Sequence, residues 1–179
     1  MNEIIFRVID QFPEPAFSAL AAQAFSDYET SELLTDVFNA EAARRSKSLN
    51  VDDDSALRIG AFLGDSLIGW TFARPRGEGH LHMVNSGVAP GQRNQGVYSK
   101  LVQLIIDHAR SHGYVDILSR HSTSNNAVIV AKLKLGFFVF RFEYSEIYGP
   151  LVRLTFLLGE LRRSLHHTRS LPIRRAKPN

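Results

Sequence analysis

The sequence predicts an α+β fold, one mixed sheet of about seven strands flanked by about four helices. Short apolar runs bounded by Gly, Pro, Asn and Asp recur as strands. Other stretches repeat their apolar residues at helical spacing. The resulting order, β-α-α-β-β-β-α-β-α-β-β, is that of an α+β architecture around a single mixed sheet.

Ile4 to Ile9 reads as the opening strand. Pro15 then starts a helix whose Phe17, Leu20, Ala21, Ala24 and Phe25 share one face. A second helix is predicted from near Thr30 or Ser31, with Leu33, Leu34, Val37 and Phe38 inward, followed by a polar loop from Ser46 to Ser55. Ala56 to Leu63 and Ser66 to Arg74 form a hairpin about Gly64-Asp65. The loop Pro75 to Gly79 leads to a third strand, His80 to Val88. Val97, Leu101, Leu104, Ile105 and Ala109 line a helix that stops at His112-Gly113. Tyr114 to Ser119 is short and apolar enough for a buried strand, and Asn125 to Leu135 is helical up to Gly136. Phe137 to Tyr144 and Tyr148 to Leu158 close the sheet.

A chain of 179 residues can bury a core of its own as one domain. It has no cysteine, which removes disulfides, thiolate–zinc sites and a cysteine nucleophile, and fits a reducing compartment. The first ten residues lack the pattern of a signal peptide, and no apolar run has the length to cross a bilayer, so the expectation is a soluble, cytoplasmic protein without membrane contact. The net charge of +3 is unevenly placed. Arg162, Arg163, Arg169, Arg174, Arg175 and Lys177 make residues 160–179 a basic C-terminal tail, and residues 1–159 are expected to form the single domain. Such a tail can attract nucleic acid, but without interleaved aromatics or a nucleic-acid module a solvated segment is favoured.

The most informative stretch runs from Gly87 to Leu101. An apolar strand gives way to a turn with Pro90 and Gly91, and an amphipathic helix begins within it. Arg93 and Gly96 fall where the first amides of that helix are free, so bare N–H groups and the helix dipole offer a cradle for a phosphate.

The segment Val88 to Tyr98 resembles the acyl-CoA pyrophosphate motif of the GCN5-related N-acetyltransferases (GNAT), Arg/Gln-x-x-Gly-x-Gly/Ala. Asn125 to Phe137 resembles that family's second motif, Asn-x-x-Ala followed by Gly-Phe. The resemblance implies acetyl-CoA as cosubstrate, lying in a V-shaped gap of a splayed sheet. The backbone of Ser86, Gly87 and Val88 would pair with the pantetheine arm. Amides of Arg93, Asn94, Gln95, Gly96, Val97, Tyr98 and Ser99 would receive the pyrophosphate, and Asn125 would bond the arm from the other wall. Two positions depart from the pattern. Tyr98 stands where the family has Gly or Ala, so its ring must turn aside. Lys132 stands where many members carry a Tyr that protonates the leaving thiolate; as an ammonium it could serve the sulfur, and as an ordinary helix lysine it would be solvated.

The implied reaction is transfer of acetyl to a primary amine of unknown identity, small molecule or protein, by direct attack in a ternary complex. An amine arrives as ammonium and must lose a proton before attack. His82, six residues before Val88, holds the strand position of the base in histone-acetylating relatives, with His80 on the same side two residues away. A pair of hydrogen-bonded surface histidines is the plainer reading. His108 and His112 have metal-ligand spacing, but they lack the Glu of His-Glu-x-x-His, and no metal is expected. The resemblance allows a homodimer. Two other functions stay open: a catalytically weak acyl-CoA-binding or regulatory module, and a nucleic-acid-associated protein acting through the tail.

Overall fold

The computed structural model describes residues 3–25 and 55–170. The predicted helix near Thr30, nearly all of the Ser46 to Ser55 loop, and Arg174, Arg175 and Lys177 lie outside the described residues. Seven strands form one sheet: β1 (Ile4–Val8), β2 (Leu57–Leu63), β3 (Ser66–Pro75), β4 (His80–Val88), β5 (Asp116–Ser122), β6 (Phe138–Ser145) and β7 (Gly149–Leu157), in the order β1-β2-β3-β4-β5-β7-β6. Among the described residues, four α-helices accompany them: α1 (Ala16–Ala24), α2 (Val97–Ser111), α3 (Asn126–Lys134) and α4 (Glu160–Ser170). The α+β expectation holds, with strand and helix limits within a few residues. Its largest shift is at β5, which starts at Asp116 and runs on to Ser122 because polar Ser119, Arg120 and His121 pair with β7.

Among the described residues, only β4 and β5 pair in parallel, and α2 is the crossover that parallel strands require. That helix carries a continuous apolar stripe. Leu101, Val102, Ile105, Ile106 and Ala109 are all fully buried against Ile59, Leu81, Ile117 and Leu154 of the sheet. Burying each of the larger side chains contributes roughly 1.5–3 kcal/mol. A smaller cluster of Leu20, Phe62, Leu67 and Trp70 fixes α1 on the opposite face.

The first part of the basic tail is helical. In α4, Arg162 reaches Asp116 at 3.7 Å, Arg163 donates to the Leu157 carbonyl at 3.4 Å, and His166 stacks on Phe138 at 3.6 Å between centroids. Arg162, Arg163 and His166 thus reach the sheet, while Leu161 and Leu165 are exposed, the reverse of ordinary amphipathic patterning.

The feature that makes a site is a divergence. β4 pairs with β5 only from His80 to Met83, while the rest of β4 stays with β3 and the rest of β5 with β7. Across from β3 the register skips Val84 between Met83 and Asn85, a bulge that falls where the two strands part. The far half of β4 therefore turns one backbone edge toward a gap.

Candidate active site

A cleft of about 600 Å³ occupies that gap. Its walls are the end of α1 (Ala24, Phe25), the end of β4 (Ser86, Gly87, Val88), the turn and start of α2 (Gln92 to Asn94 and Gly96 to Ser99), and one face of α3 with its approach (Ser124, Asn125, Ala127, Val128, Ala131). A shallower trough of about 560 Å³ continues past Asn94, Gly96 and Ser99 to Val130, Lys134 and Leu135. Among the described residues, no Asp or Glu lines either.

The turn is built to present amides. Asn94 and Gly96 both take left-handed backbone, at φ 63 and φ 80, and such alternation turns successive N–H groups toward one point. Gly96 caps α2, and the first intrahelical donor is the Lys100 amide to the Gly96 carbonyl at 2.9 Å. Val97, Tyr98 and Ser99 precede it, at the positive end of a helix with no acidic residue in its first turn. An anion fits that end.

Of the residues read from the sequence as cofactor-binding, Ser86, Gly87, Val88, Arg93, Asn94, Gly96, Val97, Tyr98, Ser99 and Asn125 border this cleft. Gln95 does not; its side chain turns back to the Gly91 carbonyl at 3.1 Å. Arg93 lines the wall with its guanidinium engaged by carbonyls, Val88 at 3.4 Å and Ala24 at 3.3 Å, so it also ties α1 to β4. The Tyr98 ring packs against the main core, and burial pushes its hydroxyl pKa up; the ring is turned aside as expected. Asn125 caps α3 through its side chain, accepting from the Val128 amide at 3.3 Å. Ala24, Phe25, Gln92, Ser124, Ala127, Val128 and Ala131 were not anticipated. Of these, Ala127, Val128 and Ala131 share one face of α3 by their spacing, a signal available in the sequence.

His82 and Lys132 lie outside the cleft wall, on opposite faces of the sheet at the point of divergence. Lys132 is 1% exposed, which removes the solvated reading. Its ammonium contacts the Met83 sulfur at 3.1 Å and sits 4.6 Å above the Phe137 ring. Neither partner carries charge, so burial lowers its pKa to about 7. Met83 is the last β4 residue paired to β5, opposite Ser119. Beside it, His121 bonds the Ser119 hydroxyl at 3.1 Å and is held to about 3, first by burial and then by Lys132.

His82 is 8% exposed and points to the other face, beside Arg74 of β3. A free imidazole titrates at about 6.5. In His82, burial and then Arg120, Arg76, Arg74 and Arg153 lower the pKa to about 4. His80 is no twin of it: its ring bonds the buried Asp116 carboxylate at 2.7 Å. His108 and His112 stack at 3.9 Å with His112 bonded to the His108 carbonyl. No cluster of three metal-ligating side chains occurs among the described residues.

His82 and His121 set an acid limit. Both are neutral in the fold and take a proton near pH 6.5 when unfolded, so the stability they confer is complete above about 6.5 and is lost as pH falls toward 4 and 3. For His82 the shift corresponds to roughly 3 kcal/mol. Urea unfolding at pH 7 and pH 4 is expected to show that loss, and His82→Gln to reduce it.

The family model of the acetyltransferase (GNAT) family matches residues 16–137. Over 123 residues the chain is 28% identical to N-acetyltransferase 8B of Rattus norvegicus, covering 66% of this chain and 53% of that protein, so it spans about half the length of this relative. Among solved structures, a probable acetyltransferase from Staphylococcus epidermidis superposes with a TM-score of 0.68 at 19% identity, covering 88% of this chain and all of the other. A Bacillus subtilis acetyltransferase in complex with CoA gives 0.63 at 15% identity, over 88% of this chain and 100% of that one. No described helix is long and apolar enough to cross a membrane. With its two motifs on the two walls of the gap and more than half its length under the family model, the chain belongs to the acetyltransferase (GNAT) family.

Proposed function

We propose that this domain transfers an acetyl group from acetyl-CoA to a primary amine by direct attack, with both substrates held at once. The observation that carries the reading is the cleft that opens where β4 leaves β5 and ends on the bare amides of α2. The amides of Val97, Tyr98 and Ser99 would hold the pyrophosphate, and the free edge of β4 from Ser86 to Val88 would pair with the arm, with Asn125 opposite. Acetyl-CoA supplies the acyl group as an activated thioester. The C–S bond breaks as the C–N bond forms. His82 takes the proton from the amine, and Lys132 delivers one from Nζ to the departing sulfur. Residues 1–159 would form the transferase domain, with α4 docked on its sheet.

One observation favours a second reading, a weak acyl-CoA-binding module: a base held near pKa 4 has little hold on a proton. Thiol release from acetyl-CoA across a panel of primary amines decides between them. The proposal expects amine-dependent release and one acetyl added to the amine by mass spectrometry. CoA binding with no release across the panel supports the module instead.

A further inference from the structure

The face of the sheet that carries His82 is crowded with cations. The register sets Arg74 opposite His82 and Arg120 opposite Arg153, with Arg141 opposite Arg153 on the other side. Arg76, one residue past the end of β3, adds its charge beside His82. Among the described residues, Glu143 is the carboxylate that answers three of these arginines, at 3.6 Å from Arg120, 3.2 Å from Arg141 and 3.2 Å from Arg153. The Glu143 oxygen facing Arg120, Oε1, is buried without a hydrogen bond. Asp116, the next carboxylate on this face, is taken by His80 and Arg162. Among the described residues, neither Arg74 nor Arg76 has an ion-pair partner.

Five guanidinium groups about one carboxylate repel one another. Arg153, 13% exposed, feels this: burial lowers its pKa, and Arg141, Arg76 and Arg120 add to the lowering against Glu143. An ordinary fold gains nothing from such crowding, because like charges at close range cost stability. An arriving anion relieves it. None of the five lines the cleft assigned to acetyl-CoA, so its phosphates do not answer them.

We propose that the amine acylated at this site also bears a carboxylate, which Arg74, Arg76 and Arg120 bind beside His82. The inference rests on the acetyltransferase reading and names its substrate class. A guanidinium fork suits a planar carboxylate, and Arg74, Arg76 and Arg120 are exposed enough to meet one. The arrangement also repairs the weak base. The arginines that oppose protonation of His82 are neutralised by the substrate's own charge, so the ring gains basicity when the acceptor is in place.

The test compares α-, β- and ω-amino acids with their primary amides. Acids are expected to exceed amides in kcat/KM by about tenfold, and 0.5 M salt to narrow the ratio. Arg120→Gln should cut the preference several-fold, and Arg76→Gln with Arg120→Gln should bring it near unity. Amides turned over as well as acids, or a preference that survives both substitutions, would overturn the inference. A second arm needs no turnover: calorimetry of the N-acetylated acids and amides, on protein with and without CoA. Acids binding several-fold tighter than amides, and losing that margin in Arg120→Gln, supports the anion site even if no amine is acetylated. Equal binding of the two removes the site while leaving the acetyltransferase reading untouched.

Discussion

Replacing Lys132 with Met is expected to lower kcat by about a hundredfold, with CoA affinity changing far less. The ammonium sits at the closed end of the divergence, with a sulfur and an aromatic face as its neighbours and no counter-charge. A group with pKa about 7 in that position is half protonated at neutral pH, which suits a donor to a departing thiolate. If the protonated form is the donor, kcat is expected to fall as pH rises through about 7, and this alkaline limb to be absent from Lys132→Met. Stability moves the other way. The folded pKa lies below the unfolded value of 10.5, so between about 7 and 10.5 the unfolded chain binds the extra proton and the fold gains stability with rising pH. Below 7 the buried charge imposes its full cost, and the methionine variant is expected to be the more stable protein there. A pH–kcat profile measured beside urea unfolding separates the two effects. An unchanged alkaline limb in the variant removes Lys132 from the chemistry.

Gly87→Ala is expected to destabilise the fold by about 3 kcal/mol and to weaken CoA binding with it. A Cβ on Gly87 would overlap the Trp70 ring. That ring has nowhere to go. It is fully buried, its Nε1 donates to Asn85 at 2.9 Å, and Phe17 and Phe25 close on it edgewise at 5.3 and 5.8 Å. Phe25 and Gly87 are both walls of the cleft, so a shift of either strand or ring changes the groove itself. Gly91→Ala is the matched control: its Cβ meets nothing, and its expected effect on unfolding is within about 0.5 kcal/mol. Equal midpoints for the two variants would refute this account of Gly87.

What could be read in the sequence was what depends on neighbours along the chain. The β4-to-α2 turn is local: Pro90, Asn94 and Gly96 dictate its backbone, and it was legible down to the residues that border the cleft. The strands and helices carried by clear periodicity were legible for the same reason. The environment of a titratable group was not, because it depends on what packs over it from elsewhere. Lys132 looks the same in sequence as Lys134 two residues on, yet one is sealed beneath α3 and the other is exposed. His82 shares a face with arginines from β3, β5 and β7 that only strand order brings together. The α4 helix was missed because it inverts the usual rule, turning Arg162 and His166 to the sheet and leaving Leu161 outside.

The central claim is that the amides at the start of α2 hold the diphosphate of CoA. Amide chemical shifts recorded on labelled protein during a CoA titration test it most directly. Saturable, one-to-one shifts greatest at Gly96, Val97, Tyr98 and Ser99 are the predicted result, with smaller ones along Ser86 to Val88. Failure of CoA to shift any of these amides, or saturable shifts confined to another surface, would contradict it.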